Sequence, residues 1–269
     1  MDEYVVRCVA TDLDGTLVRT DGKISKRTAD ALAGVEAAGI DVVLVTGRPP
    51  RWMHPVAEAT GHRGLAVCAN GALIYDLHTE RVVETFPLGV TAAADVVDSL
   101  RRAIAGVSFA VERGESFGHE PGYQTRYPMP DGVVIAPMDE LLAAGPAVKI
   151  LVRHASLSAD ELLASASEVV GQTANVTHSN VNDRLLEISA AGVSKASTLA
   201  RLCAERGIDR GQVVAFGDMP NDLPMLEWAG TSYAVANAHP DVLAAVDHVT
   251  ASNDDDGVAM VLEQLLAGR

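Results

Sequence analysis

The chain has 269 residues, 48% of them hydrophobic and 21% charged, and carries a formal net charge of −15. That length exceeds one core of ordinary size and could hold one large α/β domain or two smaller ones, of which two is the expectation. The acidic balance, with no Lys/Arg cluster, disfavours nucleic acid and anionic membrane as partners, and no apolar run approaches a membrane span.

The start, Met1-Asp2-Glu3-Tyr4, lacks the basic residues and long apolar stretch of a signal peptide. Cys8, Cys68 and Cys203 are odd in number and unrelated in spacing, which reads as buried thiols in a reducing cytoplasm. An acidic protein that handles an anionic substrate must relieve repulsion locally, and a bound divalent cation does so efficiently.

Short β-branched runs alternate with Ala-rich segments of helical period, the pattern of a mostly parallel sheet covered by helices. The first predicted strand, 5–10, delivers Asp12-Leu13-Asp14-Gly15-Thr16 at its carboxyl end. Carboxylates there line the crevice where open α/β sheets bind ligands, and two so close need a cation, a proton or a reaction. An ordinary Asp-Gly turn is the alternative. Ser25 is the expected N-cap of a helix with Ala29, Leu32, Ala33 and Ala37 on its apolar face, ended by Gly39. Strand 41–46 stops at Gly47-Arg48-Pro49-Pro50, strand 65–69 meets the Asn70-Gly71 turn, and 73–77 with 81–86 reads as a hairpin.

From about 83 to 188 the order changes to helix 91–105, strand 107–112, a loop-rich stretch 114–131, strand 147–153, helix 158–170 and strands 175–178 and 184–188. This predicts an inserted domain, 83–189, within a core made of 1–82 and 190–269. The first style then resumes with helix 194–206, strand 212–216, helix 221–229, strand 232–236 and a last helix ending near Leu266.

Chemistry-bearing residues gather at the carboxyl ends of the core strands. Thr46 ends a strand, so its hydroxyl can donate to a phosphate-like oxygen. Lys195 lies in the first turn of a helix, against the macrodipole, and that position calls for an anion or carboxylate partner. Gly217-Asp218-Met219-Pro220-Asn221-Asp222 follows a strand and opens a helix, adding two carboxylates to the same crevice; capping accounts for one of them and poorly for the whole run. Gly114-Glu115-Ser116-Phe117-Gly118 matches a serine-hydrolase elbow, but loop rather than helix is expected after it. The eight histidines form no metal-ligand spacing, and Asn253-Asp254-Asp255-Asp256-Gly257 reads as helix capping rather than a calcium loop.

Asp-x-Asp-Gly-Thr, Thr-Gly-Arg, Lys and Gly-Asp-x-x-Asn-Asp, in this order, resemble the haloacid dehalogenase superfamily of aspartate-nucleophile phosphatases. Thr46-Gly47-Arg48, Asn70-Gly71-Ala72, Leu186-Glu187-Ile188 before Gly192-Val193-Ser194-Lys195, and Gly217 to Leu226 look like its Cof-type branch, nearly end to end. Two departures are Ala196, where Gly is usual, and Met219-Pro220 before Asn221. The resemblance implies a Rossmann-like α/β core with a doubly wound, mostly parallel sheet and an inserted α+β cap domain. It implies Asp12 as nucleophile and Asp14 as general acid and base. Thr46, Gly47, Lys195 and Asn221 would bind the phosphate, and Asp12, Asp218 and the main-chain carbonyl of Asp14 would hold Mg2+. Arg48 and Asp222, with Asn221, would position these groups. The implied activity is hydrolysis of phosphomonoesters of small metabolites through an aspartyl-phosphate; the alternatives are a phosphomutase and a non-enzymatic phospho-receiver or binding protein. Caps of this type select the substrate, and the candidates within this one are Arg113, His119, Tyr123, Arg126, Tyr127, His178 and Arg184. The oligomeric state is not legible in the sequence.

Overall fold

The computed structural model describes residues 5–126, 129, 131–180 and 183–268. β1 (Cys8–Thr11) is buried along its whole length, as a strand central to a parallel sheet must be. α1 (Lys26–Ala37) begins where the Ser25 hydroxyl accepts from the Thr28 N–H, a cap worth about 1 kcal/mol. Its buried face is Thr28, Ala31, Leu32 and Val35, so the stripe is rotated from the expected one and Ala33 and Ala37 face solvent. Gly39, at φ 78°, turns the chain into β2 (Asp41–Val45). A 3-10 turn over Pro50–Trp52 then leads into α2 (His54–Thr60). The sequence reading missed both, because their prolines look like breakers although proline fits the first turn of a helix. β3 (Leu65–Cys68) pairs antiparallel with β4 (Leu73–Asp76), beside which lies β5 (Arg81–Thr85).

The chain continues through α3 (Val90–Ala103), β6 (Ser108–Glu112), β7 (Phe117–His119), β8 (Val134–Ile135), α4 (Met138–Ala143), β9 (Lys149–Arg153), α5 (Ala159–Val170), β10 (Ala174–Thr177) and β11 (Leu185–Ala190). It ends with α6 (Lys195–Glu205), β12 (Val213–Gly217), α7 (Leu223–Trp228), β13 (Thr231–Val235), α8 (Pro240–Ala245), β14 (His248–Thr250) and α9 (Gly257–Ala267).

These elements form two compact units, Met1–Val83 with Lys195–Arg269, and Glu84–Ser194. Residues 190–194 group with the second unit, whereas the sequence reading assigns them to the core. The Val193 carbonyl accepts from the Asn175 amide and the Ser189 hydroxyl, which ties the segment to β10 and β11.

The first unit is built on an eight-stranded sheet in the order β14-β13-β12-β1-β2-β3-β4-β5, parallel from β14 to β3. From β1 the chain winds to β2 and β3 on one side, and later to β12, β13 and β14 on the other. The carboxyl ends of β1, β2 and β12 therefore meet at a switch point, where open sheets of this type bind ligands.

In the second unit, a six-stranded sheet runs β10-β11-β9-β6-β7-β8, antiparallel except for the β7–β8 pair. Leu100, Phe109, Ile150, Leu162 and Ile188 lie in its apolar core, and each buried side chain of this kind contributes roughly 1.5–3 kcal/mol. The stretch expected to be loop-rich contains β7, so Ser116 enters a strand and the serine-elbow motif lacks its helix. Ser158 and Glu161 close a reciprocal capping box at the start of α5.

Asp256 corrects another expectation. It sits at the start of α9 in a left-handed conformation (φ 60°) and makes no capping bond. Its carboxylate accepts from Arg19 Nε and Nη2 at 3.2 and 2.7 Å.

Candidate active site

Asp12 is the residue directly after β1, and its N–H donates to the Phe216 carbonyl of β12 at 3.0 Å. Asp218 directly follows β12, and Thr46 directly follows β2. The loops that carry Asp12 and Asp218 come so close that a Cβ on Gly15 would run into the Asp218 carboxylate. With its φ of 85°, Gly15 is a position that only glycine fits.

Lys195 is the first residue of α6 and is 1% exposed. Its Nζ donates to Asp12 Oδ1 at 2.5 Å and to Asp222 Oδ1 at 2.6 Å. Asp222 uses its other oxygen to accept the N–H groups of Asp218 and Met219, both at 3.0 Å. It thus orients the lysine and fixes the loop that carries Asp218. The Thr16 hydroxyl donates to Asp218 Oδ1 at 2.7 Å.

One ammonium faces three buried carboxylates, Asp12, Asp218 and Asp222, each offering an oxygen within 4.8 Å of the others. Among the described residues this is the one His/Cys/Asp/Glu group able to hold a metal ion, and no histidine belongs to it. Burial pushes the Asp12 carboxyl well above its ordinary range; Lys195 opposes the rise, while Asp222, Asp218 and Asp14 add to it. Asp218 is pushed up to about 7 by burial and then by Asp222, against the Thr16 hydroxyl and Lys195. For Lys195, burial alone would lower the pKa, but Asp12 and Asp222 outweigh it and the group is raised.

Around this cluster, the Thr46 hydroxyl accepts from the Arg48 N–H at 3.0 Å, which leaves its own proton to donate outward. Gly47 lies between the two. Arg48 forks onto Asp14, Nε to Oδ2 at 2.8 Å and Nη2 to Oδ1 at 2.5 Å. The Asp14 side chain is therefore outside the three-carboxylate group, and Asp222 occupies the third place in it.

Asn221 Nδ2 donates to Asn70 Oδ1 at 3.1 Å, and its Oδ1 is buried with no donor among the described residues. Asn70 belongs to a turn in which Ala69, Asn70 and Gly71 have φ of 51°, 58° and 98°. Such backbone costs a non-glycine residue roughly 1–3 kcal/mol and clusters at functional sites. Thr198 Oγ1 holds the turn through the Gly71 carbonyl at 2.7 Å. Asn70 and Thr16 are the site residues that sequence reasoning passed over, although Asn-Gly signalled the turn.

The candidates of the second unit divide. Arg113 is spent on the Leu141 and Gly145 carbonyls, His119 on the Glu120 carbonyl, and His178 on Asp160. Tyr123 is buried with the Arg153 guanidinium over its ring, while Arg126 and Arg184 line a cleft. Tyr127 lies outside the described residues.

Residues 9–262 match the family of haloacid dehalogenase-like hydrolases. The pyridoxal phosphate phosphatase YbhA of Escherichia coli (strain K12) is 30% identical, across 95% of this chain and 97% of that protein. The phosphatase YwpJ of Bacillus subtilis (strain 168) is 25% identical, across 97% and 100%. A solved haloacid dehalogenase-like hydrolase from B. subtilis superposes with a TM-score of 0.83 at 25% identity, covering 97% of this chain and 100% of that one.

Proposed function

Because the chain belongs to the haloacid dehalogenase-like hydrolase family and is a phosphatase of that kind, we propose that it is a cytoplasmic, Mg2+-dependent hydrolase of small-metabolite phosphomonoesters. The reading rests most heavily on one observation. Asp12 and Lys195, far apart in sequence, meet at 2.5 Å inside a buried cluster of acids at the sheet's switch point.

The cluster suits Mg2+. Three buried carboxylates against one ammonium leave an excess of negative charge, and hard oxygen donors favour Mg2+ over softer metals. Asp12, Asp218 and the main-chain carbonyl of Asp14 would hold the ion, with the Asn221 Oδ1 as an acceptor for its waters. When bound, Mg2+ would screen the nucleophile from the phosphate and stabilise the charge on the transferring oxygens.

The chain's own groups then divide the work. An Asp12 oxygen attacks phosphorus, the ester P–O bond breaks, and the leaving oxygen takes a proton from Asp14. Asp14 next takes a proton from water as that water attacks the aspartyl-phosphate, which releases phosphate and restores Asp12. Lys195 spends two N–H groups on Asp12 and Asp222 and has a third for a phosphoryl oxygen. The Thr46 hydroxyl and the Gly47 N–H would hold the other oxygens. The deciding experiment is turnover of p-nitrophenyl phosphate, expected with Mg2+ and lost on chelation. Unchanged turnover in excess chelator would defeat the mechanism. A phosphomutase would require a bisphosphate activator, and a receiver would not turn over.

Leaving-group dependence isolates Asp14. Asp14→Asn should lower kcat/KM for an alkyl phosphate by roughly 10²–10⁴-fold and lower that for p-nitrophenyl phosphate far less, since its leaving group needs little protonation. Arg48→Ala should shift selectivity in the same direction, because Arg48 holds both Asp14 oxygens. Equal losses on the two esters would leave Asp14 a positioning role only.

Asp218 gives a pH dependence. Its folded pKa of about 7 lies above the ordinary 3.8, so the stability it confers is fully present below 3.8 and is lost as pH rises to 7. Without metal, the melting temperature should fall between pH 4 and pH 8. Saturating Mg2+ should raise it by roughly 5 °C or more at pH 8 and by much less at pH 5. An equal gain at both pH values in a thermal scan would exclude these carboxylates as the ligands.

A further inference from the structure

The second unit carries an open cleft of about 490 Å3, within the range of small-molecule sites. Arg126, Arg153 and Arg184 line it together with Gln124, Thr125 and Asp183. Three guanidiniums in one cleft are unexpected in a chain with a net charge of −15.

Asp183 is buried and pairs with Arg153 at 2.8 Å and Arg126 at 3.4 Å. A single carboxylate balances a single guanidinium, so these lining side chains keep an excess of positive charge. Arg184 Nη1 donates to the Ala155 carbonyl at 2.5 Å, a neutral acceptor. His154, at the same cleft, brings no competing acceptor. Its Nδ1 takes the N–H groups of Ser156 and Leu157, and its Nε2 faces the Ala105 carbonyl.

Two features show pre-organisation. Arg153 is fixed over the Tyr123 ring at 5.6 Å and by the Asp183 carbonyl at 3.0 Å, and its Nε is buried with no acceptor among the described residues. Arg184 holds a left-handed backbone, φ 42°, which a non-glycine residue adopts at a cost and which clusters at ligand sites. We propose that this cleft binds a small polyvalent anion, a phosphate group or a dicarboxylate, through the guanidiniums of Arg126 and Arg184, with Arg153 adding its charge beside them. The site lies wholly in the second unit and goes beyond the phosphatase reading. Ligands that carry an acidic group are the class it favours.

Calorimetric titration of the metal-free full chain at fixed ionic strength tests this, with inorganic phosphate in one arm and malonate in the other. In that state the core acids repel anions, so saturable binding reports the cleft. The two arms separate a phosphate from a carboxylate ligand. The double variant Arg126→Gln/Arg184→Gln should weaken binding by roughly tenfold or more. Arg184→Gly relieves the left-handed strain while removing the guanidinium, so it should stay folded and still bind more weakly. Thr46→Ala should leave binding intact. No saturable binding of either probe, equal binding by the arginine variants, or loss with Thr46→Ala would overturn the proposal. Turnover of p-nitrophenyl phosphate is measured separately, so failure of this site and failure of the phosphatase reading are distinguishable.

Discussion

Asp12→Asn should lower phosphate release from p-nitrophenyl phosphate by at least about a thousandfold while leaving the fold intact. The amide has the shape of the carboxylate but lacks the anionic oxygen that attacks phosphorus. Its effect on stability should run the opposite way. The folded pKa of Asp12 is raised, first by burial, so the stability it confers when protonated is lost as pH rises, and its ionised form strains the metal-free cluster. An amide there never ionises, and Lys195 retains Asp222 at 2.6 Å. The metal-free variant should therefore melt at or above the parent's temperature at pH 8. Activity within tenfold of the parent would remove Asp12 from the nucleophile role. A fall in melting temperature would mean that its bond to Lys195 outweighs the repulsion.

That cluster shows what the sequence could and could not reveal. Asp12, Thr46 and Asp218 each follow a strand of a parallel sheet, and strand ends converge, so their shared location was legible from periodicity and topology. Arg48, Asn221 and Asp222 were named as positioning groups by the family resemblance, but which group each one holds was not legible. Asp222 bridging Lys195 to two N–H groups, Arg48 forked on Asp14 and Asn70 against Asn221 all depend on loops approaching in three dimensions. No sequence spacing encodes such contacts. Short elements escaped for another reason. α4 and α8 have six residues each and β14 has three, too few for a repeat of 3.6 or 2 to show. In α1 the repeat was visible but its Ala-rich face misled, because alanine is tolerated on both the buried and the exposed side.

Lys195→Met tests how the acids are held. The side chains are similar in length, so packing around a residue 1% exposed is largely retained while the ammonium is removed. Asp12, Asp218 and Asp222 then face one another without their buried cation. Removing one partner of a buried ion pair typically costs about 3–5 kcal/mol, which for a chain of this size corresponds to roughly 10 °C in melting temperature. The pH dependence separates this from simple mispacking. The folded pKa of Lys195 is raised, so its own contribution is fully present below the unfolded lysine value and is constant between pH 5 and 8. Asp12 and Asp218 are different, since burial raises both, so they are protonated more readily at pH 5 and repel at pH 8. The loss should therefore be larger at pH 8, and Mg2+ should recover part of it. Turnover should fall by at least about a hundredfold even in saturating Mg2+, because a donor to the phosphoryl oxygens is gone. A melting temperature within 2 °C of the parent, measured without metal at pH 8, would show that the carboxylates do not depend on the lysine.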